Sequence, residues 1–176
     1  MQLAAIAHEL AIRKVKIWSL DEKLAEAFKR AHSGSFDIMV CTPAQACDCD
    51  VLVTTPSRTP IVQNAWIHEG THINAIGADA PGKQELDPAL LNRARVFVDD
   101  HEQAVHSGEI NVAVAKGLFS PDRIAGTLGE VVLGRKGRLS DDKVTIFDST
   151  GLAPQDLAIA SLAMKQSQPI DIPFIV

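Results

Sequence analysis

The stretch that decides the fold of this chain is GTHINAIGADAPGKQE, from Gly70 to Glu85. Its first half has the pattern of a buried β-strand, and its second half is a polar loop beside two glycines. In that loop Asp79 and Lys83 place a carboxylate and an ammonium group four residues apart. Open α/β sheets bind ligands at the carboxyl ends of their strands, where such a loop would lie. The stretch therefore predicts a ligand site that follows a parallel strand.

Predicted strands and helices alternate along the whole chain. Strands are predicted over 15–18, 36–40, 51–55, 71–76, 96–98 and 144–147, and helices over 3–10, 22–31, 88–93, 102–106, 127–133 and 154–165. This alternation is typical of an α/β fold, here a Rossmann-like, doubly wound, mostly parallel sheet with flanking helices. Residues 1–166 are predicted to form this domain, and residues 167–176 a C-terminal strand that pairs outside it.

The first strand of the fold and its glycine loop are expected to precede residue 1. The chain has no glycine before Gly34, whereas a dinucleotide-binding fold carries its phosphate-binding glycines directly after its first strand. That strand is central in a doubly wound sheet. We therefore expect either a gap or a new pairing between the strands at 15–18 and 51–55.

Composition and charge exclude several classes of protein. The chain is 46% apolar and 22% charged, as expected of one ordinary globular domain. The net charge of -5 and the scattered basic residues argue against nucleic acid or an anionic membrane as partner. There is no apolar run of 18 residues that could form a membrane span. Three cysteines, an odd number, indicate a reducing compartment, so we expect a cytoplasmic protein.

Three short motifs imitate functional sites. The pair Cys47 and Cys49 supplies only half of a zinc site, so free thiols at a helix-to-strand junction are predicted. The stretch HEGTH (68–72) matches the zinc-protease pattern, but it is followed by a strand pattern instead of lying on a helix. The stretch GADAPGKQ (77–84) nearly matches a phosphate-binding P-loop, but Gln84 replaces the hydroxyl residue that binds Mg²⁺. No metal site is predicted.

Two alternatives stay open from the residues alone. Asp79 can act as an acid/base beside a substrate amine, or it can form a surface ion pair with Lys83. Ser149 and Thr150, which follow the strand at 144–147, can bind a ligand or cap the next helix.

Several longer stretches together resemble the ornithine cyclodeaminase/μ-crystallin family, and within it the archaeal-type alanine dehydrogenase branch. They are residues 70–86, VDDHEQA (98–104), GEINVA (108–113), TIFDSTGLA (145–153) and Gln155-Asp156, and the likeness runs from Gln2 to the tail. The resemblance implies an oxidoreductase that uses NAD or NADP on a small L-amino acid or its imine and forms a homodimer. Ornithine cyclodeaminase and a non-catalytic, crystallin-like binding protein are the alternatives.

The resemblance also implies roles for particular residues. Asp79 matches the family's catalytic acid/base at the substrate, and Thr150 lies next to the substrate. The cofactor-binding positions are Ser19, Thr54 or Thr55, Ile76, Gly77, Ala78, Lys83 and Ser149. The family's glycine loop and amino-terminal substrate domain have no counterpart in residues 1–176. We therefore expect this chain by itself to bind dinucleotide weakly and to lack measurable dehydrogenase activity.

Overall fold

The computed structural model of the chain describes residues 2–55, 60–140 and 143–166. Its strands are β1 (Lys14–Ile17), β2 (Asp37–Val40), β3 (Val51–Thr54), β4 (His72–Ala75), β5 (Arg95–Val98), β6 (Ile124–Thr127) and β7 (Thr145–Asp148). Its α-helices are α1 (Gln2–Glu9), α2 (Glu22–His32), α3 (Pro43–Cys47), α4 (Pro88–Arg93), α5 (His101–Ser107), α6 (Asn111–Ala115), α7 (Leu128–Val132) and α8 (Ala153–Gln166). Short 3-10 turns lie at Asn64–Trp66 and Pro121–Arg123.

Five strands form one parallel sheet in the order β3-β4-β7-β5-β6. Ile73 in β4 lies opposite Leu52 of β3 on one side and Ile146 of β7 on the other. Parallel neighbours cannot be joined by a tight hairpin, so longer connections link them. Along the chain α5 and α6 lie between β5 and β6, whereas the described residues between β3 and β4 contain the 3-10 turn Asn64–Trp66. The predicted α/β class with a mostly parallel sheet and flanking helices is confirmed.

The two remaining strands, β1 and β2, form a separate parallel pair. Within the described residues β1 pairs only with β2, and β3 pairs only with β4, so each has one open edge. Lys16 in β1 reaches across to Asp48, just before β3, with its Nζ 2.9 Å from a carboxylate oxygen. The prediction of a gap or a new pairing at this place is confirmed in the form of a gap.

The hydrophobic core lies against one face of the larger sheet. Ile73, Val96 and Ile146 come from three adjacent strands and are fully buried. They belong to one cluster with Leu90 of α4 and with Ile110, which precedes α6. Because tightly packed interiors do not yield locally, this core fixes the strand ends from which the functional loops start.

The helix α6 and the strand β6 were absent from the sequence prediction, and α3 was implied only by the predicted helix-to-strand junction at Cys47 and Cys49. Residue 127, predicted to begin a helix, is instead the last residue of β6 and the N-cap of α7. The Thr127 hydroxyl accepts a hydrogen bond from the Glu130 amide (3.3 Å), and the Glu130 carboxylate accepts one from the Thr127 amide (2.9 Å). The sequence of β6, Ile-Ala-Gly-Thr, has a weak strand propensity. Its pairing with β5 makes it a strand.

The carboxyl-terminal part of the prediction is tested only up to α8. This helix agrees with the one predicted over 154–165. The strand predicted over 167–176, and with it the domain boundary after residue 166, lies outside the described residues. None of the helices in the described ranges is long and apolar enough to cross a membrane.

Candidate active site

Most of the predicted site residues meet at the carboxyl edge of the larger sheet. The Ile76 amide donates to the Thr54 carbonyl (3.3 Å), which joins the ends of β3 and β4. The Ser149 amide donates to the Ala75 carbonyl (3.0 Å), which joins the ends of β4 and β7. Three neighbouring strand ends therefore present their following residues side by side.

The two threonines at the end of β3 differ in their surroundings. Thr54 is buried, with 4% of its surface exposed, and its hydroxyl has no hydrogen-bond partner among the described residues. Thr55 is exposed. Leaving a buried hydroxyl without a hydrogen bond costs ~1–3 kcal/mol of folding free energy, and a ligand that bonded to it would remove this cost. The structure thus distinguishes two residues between which the sequence did not choose.

Ser19 does not lie at the carboxyl edge of the larger sheet. It follows β1 in the smaller sheet, and its hydroxyl accepts a hydrogen bond from the Asp21 amide (3.2 Å). Asp21 in turn caps α2 through the Lys23 amide. The position of Ser19 is therefore set by the turn that leads into α2.

The loop after β4 carries the predicted acid/base. Asp79 forms an ion pair with Lys83, and the two side chains are 56% and 34% exposed. The hydrogen bond from Lys83, and then its positive charge, hold the pKa of the Asp79 carboxyl below its ordinary value. An ion pair this exposed adds little stability. Asp79 is consequently a carboxylate at neutral pH, able to accept a proton from a bound amine.

The start of this loop is closely packed. Gly77 and Ala78 are buried. A Cβ added to Gly77 would lie 2.1 Å from Oε1 of Glu85, and Glu85 is itself fully buried. The carboxylate therefore approaches the main chain at a position that only glycine can occupy.

A residue to which the sequence analysis gave no role, Asp99 at the end of β5, holds the loop after β7. Its carboxylate accepts hydrogen bonds from the amides of Thr150 (2.7 Å) and Gly151 (2.8 Å). It also accepts from the hydroxyls of Thr150 (2.9 Å) and Ser149 (3.4 Å). Both hydroxyls are thus directed to Asp99 instead of capping α8, which begins at Ala153.

Two further buried carboxyl groups lie behind the loops. Asp148, the last residue of β7, accepts hydrogen bonds from the amides of Glu109 (2.8 Å) and Ile110 (3.2 Å). Burial raises the pKa of Asp148 to about 7, against the lowering effect of these two bonds. Burial likewise raises the pKa of Glu109 well above its ordinary value. Asp148 and Glu109 are both acidic residues within apolar stretches of the sequence. Acidic residues are rarely buried unless they are paired, so this pattern could have indicated a specific partner for each.

The motifs that imitate functional sites take other structures. His68 lies in a loop and His72 in β4, so the two do not share a helix face. The chain after Lys83 runs on without helix until α4 begins at Pro88, unlike a P-loop. Cys47 ends α3 and Cys49 precedes β3, and both are free thiols at a helix-to-strand junction, as predicted.

A sizeable cavity among the described residues lies away from this edge. It has a volume of about 910 Å³ and is lined by His72, Asn74 and Phe147 on the sheet face opposite the core. Its lining also includes Asp50 and Gly70, which precede β3 and β4 and so mark the amino ends of the strands. The cavity is therefore separate from the loop of Asp79.

The carboxyl edge combines features suited to a nucleotide and a small polar substrate. It offers hydroxyls at Thr54, Ser149 and Thr150, the buried residues Gly77 and Ala78, and the exposed carboxylate of Asp79. Parallel α/β sheets bind ligands at this edge. A carboxylate beside such a ligand can take up and return a proton.

Comparison with known proteins gives a match over nearly the whole chain. The family model described as the ornithine cyclodeaminase/mu-crystallin family matches residues 1–168. Alanine dehydrogenase of Archaeoglobus fulgidus is 50% identical over 169 residues, which are 94% of this chain and 52% of that protein. The chain spans about half the length of the curated relatives it matches.

Solved structures give the same picture. An archaeal alanine dehydrogenase dimer with bound NAD has a TM-score of 0.92 and 48% identity, over 99% of this chain and 57% of that one. The iminosuccinate reductase of Paracoccus denitrificans in complex with NAD⁺ has a TM-score of 0.85 and 37% identity, over 94% of this chain and 53% of that one. The strands and helices described above are therefore arranged as in proteins solved with a nicotinamide cofactor.

Proposed function

This chain belongs to the ornithine cyclodeaminase/mu-crystallin family, and on that premise we propose that it is the cofactor-binding part of an NAD(P)-dependent oxidoreductase. The substrate class is a small L-amino acid or the matching imine, and the assembly is a homodimer. The observation that carries the proposal is the carboxylate of Asp79 on the loop after β4, a strand whose end lies beside the ends of β3 and β7. The free thiols at Cys41, Cys47 and Cys49 fit the cytoplasm as its compartment.

The residues at the carboxyl edge fit a nicotinamide cofactor. The buried Thr54 hydroxyl lacks a partner of its own and would donate to the cofactor. Main chain 76–78 would line the nicotinamide side, with Lys83 and Ser149 as further contacts. Ser19, which follows β1 of the smaller sheet, would contact the cofactor from outside this edge. The cofactor, when bound, accepts or supplies the hydride that is exchanged with the substrate carbon.

Asp79 would manage the protons of this reaction. Oxidation of an amine to an imine releases a proton from nitrogen, and an ionised carboxylate can accept it. The pairing with Lys83 keeps the Asp79 carboxyl ionised by lowering its pKa. An Asp79 released from Lys83 would regain a higher pKa and would hold the accepted proton more readily. The ion pair therefore sets whether Asp79 acts as base or as acid.

The test is a calorimetric titration of the chain with NADH and with NADPH. We expect saturable binding that is weaker than micromolar. Thr54→Val should weaken it further, because the buried hydroxyl is the group offered to the cofactor. Thr55→Val is the matched control and should leave the affinity unchanged, since Thr55 is exposed.

Two results would contradict the proposal. The first is the absence of saturable binding of either cofactor to a folded chain. The second is equal affinity in the wild-type chain and the Thr54→Val variant, which would remove the assigned cofactor contact.

A further inference from the structure

One motif of the sequence, GEINVA over 108–113, has no role in the site described so far. The structure places two of its side chains against the loop that carries Asp79. Oε1 of Glu109 accepts hydrogen bonds from the amides of Glu85 (3.0 Å) and Leu86 (2.7 Å). Oε2 of the same carboxyl accepts from the Glu85 amide as well (3.0 Å).

Asn111, the first residue of α6, holds the middle of the same loop. Its Oδ1 accepts a hydrogen bond from the Gly82 amide (2.9 Å), and its Nδ2 donates to the Lys83 carbonyl (2.8 Å). The second hydrogen on Nδ2 is directed to the Gly108 carbonyl (2.5 Å). An asparagine amide has one acceptor and two donors in fixed directions, and Asn111 uses all three.

These contacts set the position of Asp79 through the main chain. The Asp79 side chain is mostly exposed, and its carboxylate accepts a hydrogen bond from the Lys83 ammonium group. Lys83 is in turn fixed by its carbonyl bond to Asn111. The carboxylate is therefore located by the main chain of residues 82–86, which Asn111 and Glu109 bind at four separate groups.

The holding residues are themselves anchored to the sheet. Asp148 at the end of β7 accepts from the amides of Glu109 and Ile110. Gly108 lies so close to Asp148 that an added Cβ would be 2.6 Å from the carboxylate. A continuous set of buried hydrogen bonds thus connects β7, whose next residue is Ser149, with the loop of Asp79.

We propose that Asn111, supported by Glu109, is a positioning residue for the acid/base Asp79: it fixes the loop so that Lys83 pairs with the Asp79 carboxylate. This inference rests on the proposed function for the role of Asp79. The geometric part concerns only this chain and requires no cofactor.

The experiment measures the Asp79 carboxyl and the loop amides in the same variants. In Asn111→Ala we expect the Gly82 amide to exchange hydrogen about tenfold faster, the equivalent of one lost hydrogen bond. Carbon NMR of the Asp79 carboxyl should show its pKa rising toward the ordinary value, because the pairing with Lys83 becomes less well defined. Amides of the core strands, such as those of Val96 and Ile146, should exchange at the wild-type rate.

The matched control is Asn92→Ala. Asn92 also donates a side-chain hydrogen bond to a carbonyl, that of Leu118 (3.2 Å), but it lies outside the loop. This variant should leave the Asp79 pKa unchanged. If Asn111→Ala fails to fold, Asn111→Ser replaces it, because a serine hydroxyl can still bond to the Gly108 carbonyl but not to both groups of the loop.

The outcomes separate the inference from the proposed function. An unchanged Asp79 pKa in a folded Asn111 variant overturns the positioning role, even if the Gly82 amide opens, because the residue is then only structural. Equal acceleration of exchange in the loop and in the core strands overturns it as well. A shifted Asp79 pKa together with no cofactor binding supports the positioning role and rejects the proposed function.

Discussion

Asp79 and Gly77 lie two residues apart in one loop but depend on different physics. Asp79 is exposed, and its ionisation depends on Lys83, whose hydrogen bond and positive charge lower the pKa of the Asp79 carboxyl. Gly77 is buried, and a side chain at this position is excluded because the Glu85 carboxylate fills the space that a Cβ would need. Substitution at the first position should therefore affect chemistry, and substitution at the second should affect stability.

In a longer form of the protein that shows the proposed activity, Asp79→Asn should remove most of that activity. The amide keeps the shape of the carboxylate but cannot accept a proton, and positioned proton transfer is worth ~10²–10⁴-fold in rate. Cofactor affinity should stay close to wild type, which separates loss of chemistry from loss of binding. Steady-state kinetics and a cofactor titration measure the two effects. Retention of more than about a hundredth of the rate would assign the acid/base role to another group.

Gly77→Ala should lower the free energy of unfolding by ~1–3 kcal/mol, the usual cost of overpacking a buried site. The added methyl group would meet the Glu85 carboxylate, which cannot turn away because Glu85 is fully buried. Gly34→Ala is the control, since nothing lies within 4 Å of a Cβ at that position. Urea denaturation of the three proteins measures the difference, and a Gly77→Ala variant as stable as wild type would disprove the close packing.

At the scale of elements, the connections between strand ends are made by buried carboxyl groups. Asp99 at the end of β5 holds the loop after β7, and Asp148 at the end of β7 holds the segment that leads into α6. Each carboxylate binds main-chain amides that no strand or helix partner uses. Buried acidic groups carry a cost in desolvation, and this cost makes the stability of the domain depend on pH.

Stability should fall as the pH rises from about 4 to about 7. Burial raises the folded-state pKa of Asp148 from 3.8 to about 7, so in this window the native protein holds a proton that the unfolded chain has released. Glu109, whose pKa burial also raises, acts with the same sign. Each group lowers the free energy of unfolding by at most ~1.4 kcal/mol per pH unit in this range.

Urea titrations across this pH range measure the effect, and Asp148→Asn should make the profile flatter because the amide does not titrate. A wild-type stability that instead rises between pH 4 and 7 would show that other groups outweigh Asp148 and Glu109.

For the whole molecule, the decisive feature is the separation of the two sheets. β1 and β3 each have a single partner among the described strands. The groups on their free edges have no ladder to join, and open edges of this kind are sites at which further strands pair. The larger sheet is complete in its interior, where β4, β7 and β5 each have a strand on both sides.

Amide hydrogen exchange should reveal this asymmetry in a dilute solution of the chain. Interior strands β4 and β7 should be strongly protected, whereas alternate amides of β1 and β3 should exchange fast, because a strand with one partner leaves every second amide unpaired. Uniform protection of β1 and β3 at the level of β4 would mean that another strand occupies the gap.

The fold class, most of the helices and strands and the position of the loop that carries Asp79 could be predicted from the sequence. These depend on short windows: the alternation of helix and strand patterns, the cap at Asp21, the proline that opens α4, and the four-residue spacing of Asp79 and Lys83. Such signals are local, since the period of the apolar residues and the turn residues lie within one element. The long motifs supplied the family, and the comparisons confirmed it.

Three findings required the folded structure: that Thr54 and not Thr55 is buried, that Ile124–Thr127 is a strand, and which groups are bound by Asp99, Glu109, Asn111 and Asp148. Asp99 binds Thr150 across 51 residues of sequence, and Asn111 binds Gly82 across 29. The residues next to a carboxylate in the sequence do not indicate which distant group it will bind. Its role appears only when the parallel sheet brings distant strand ends to one edge, because burial there leaves the main-chain amides no water to bond with.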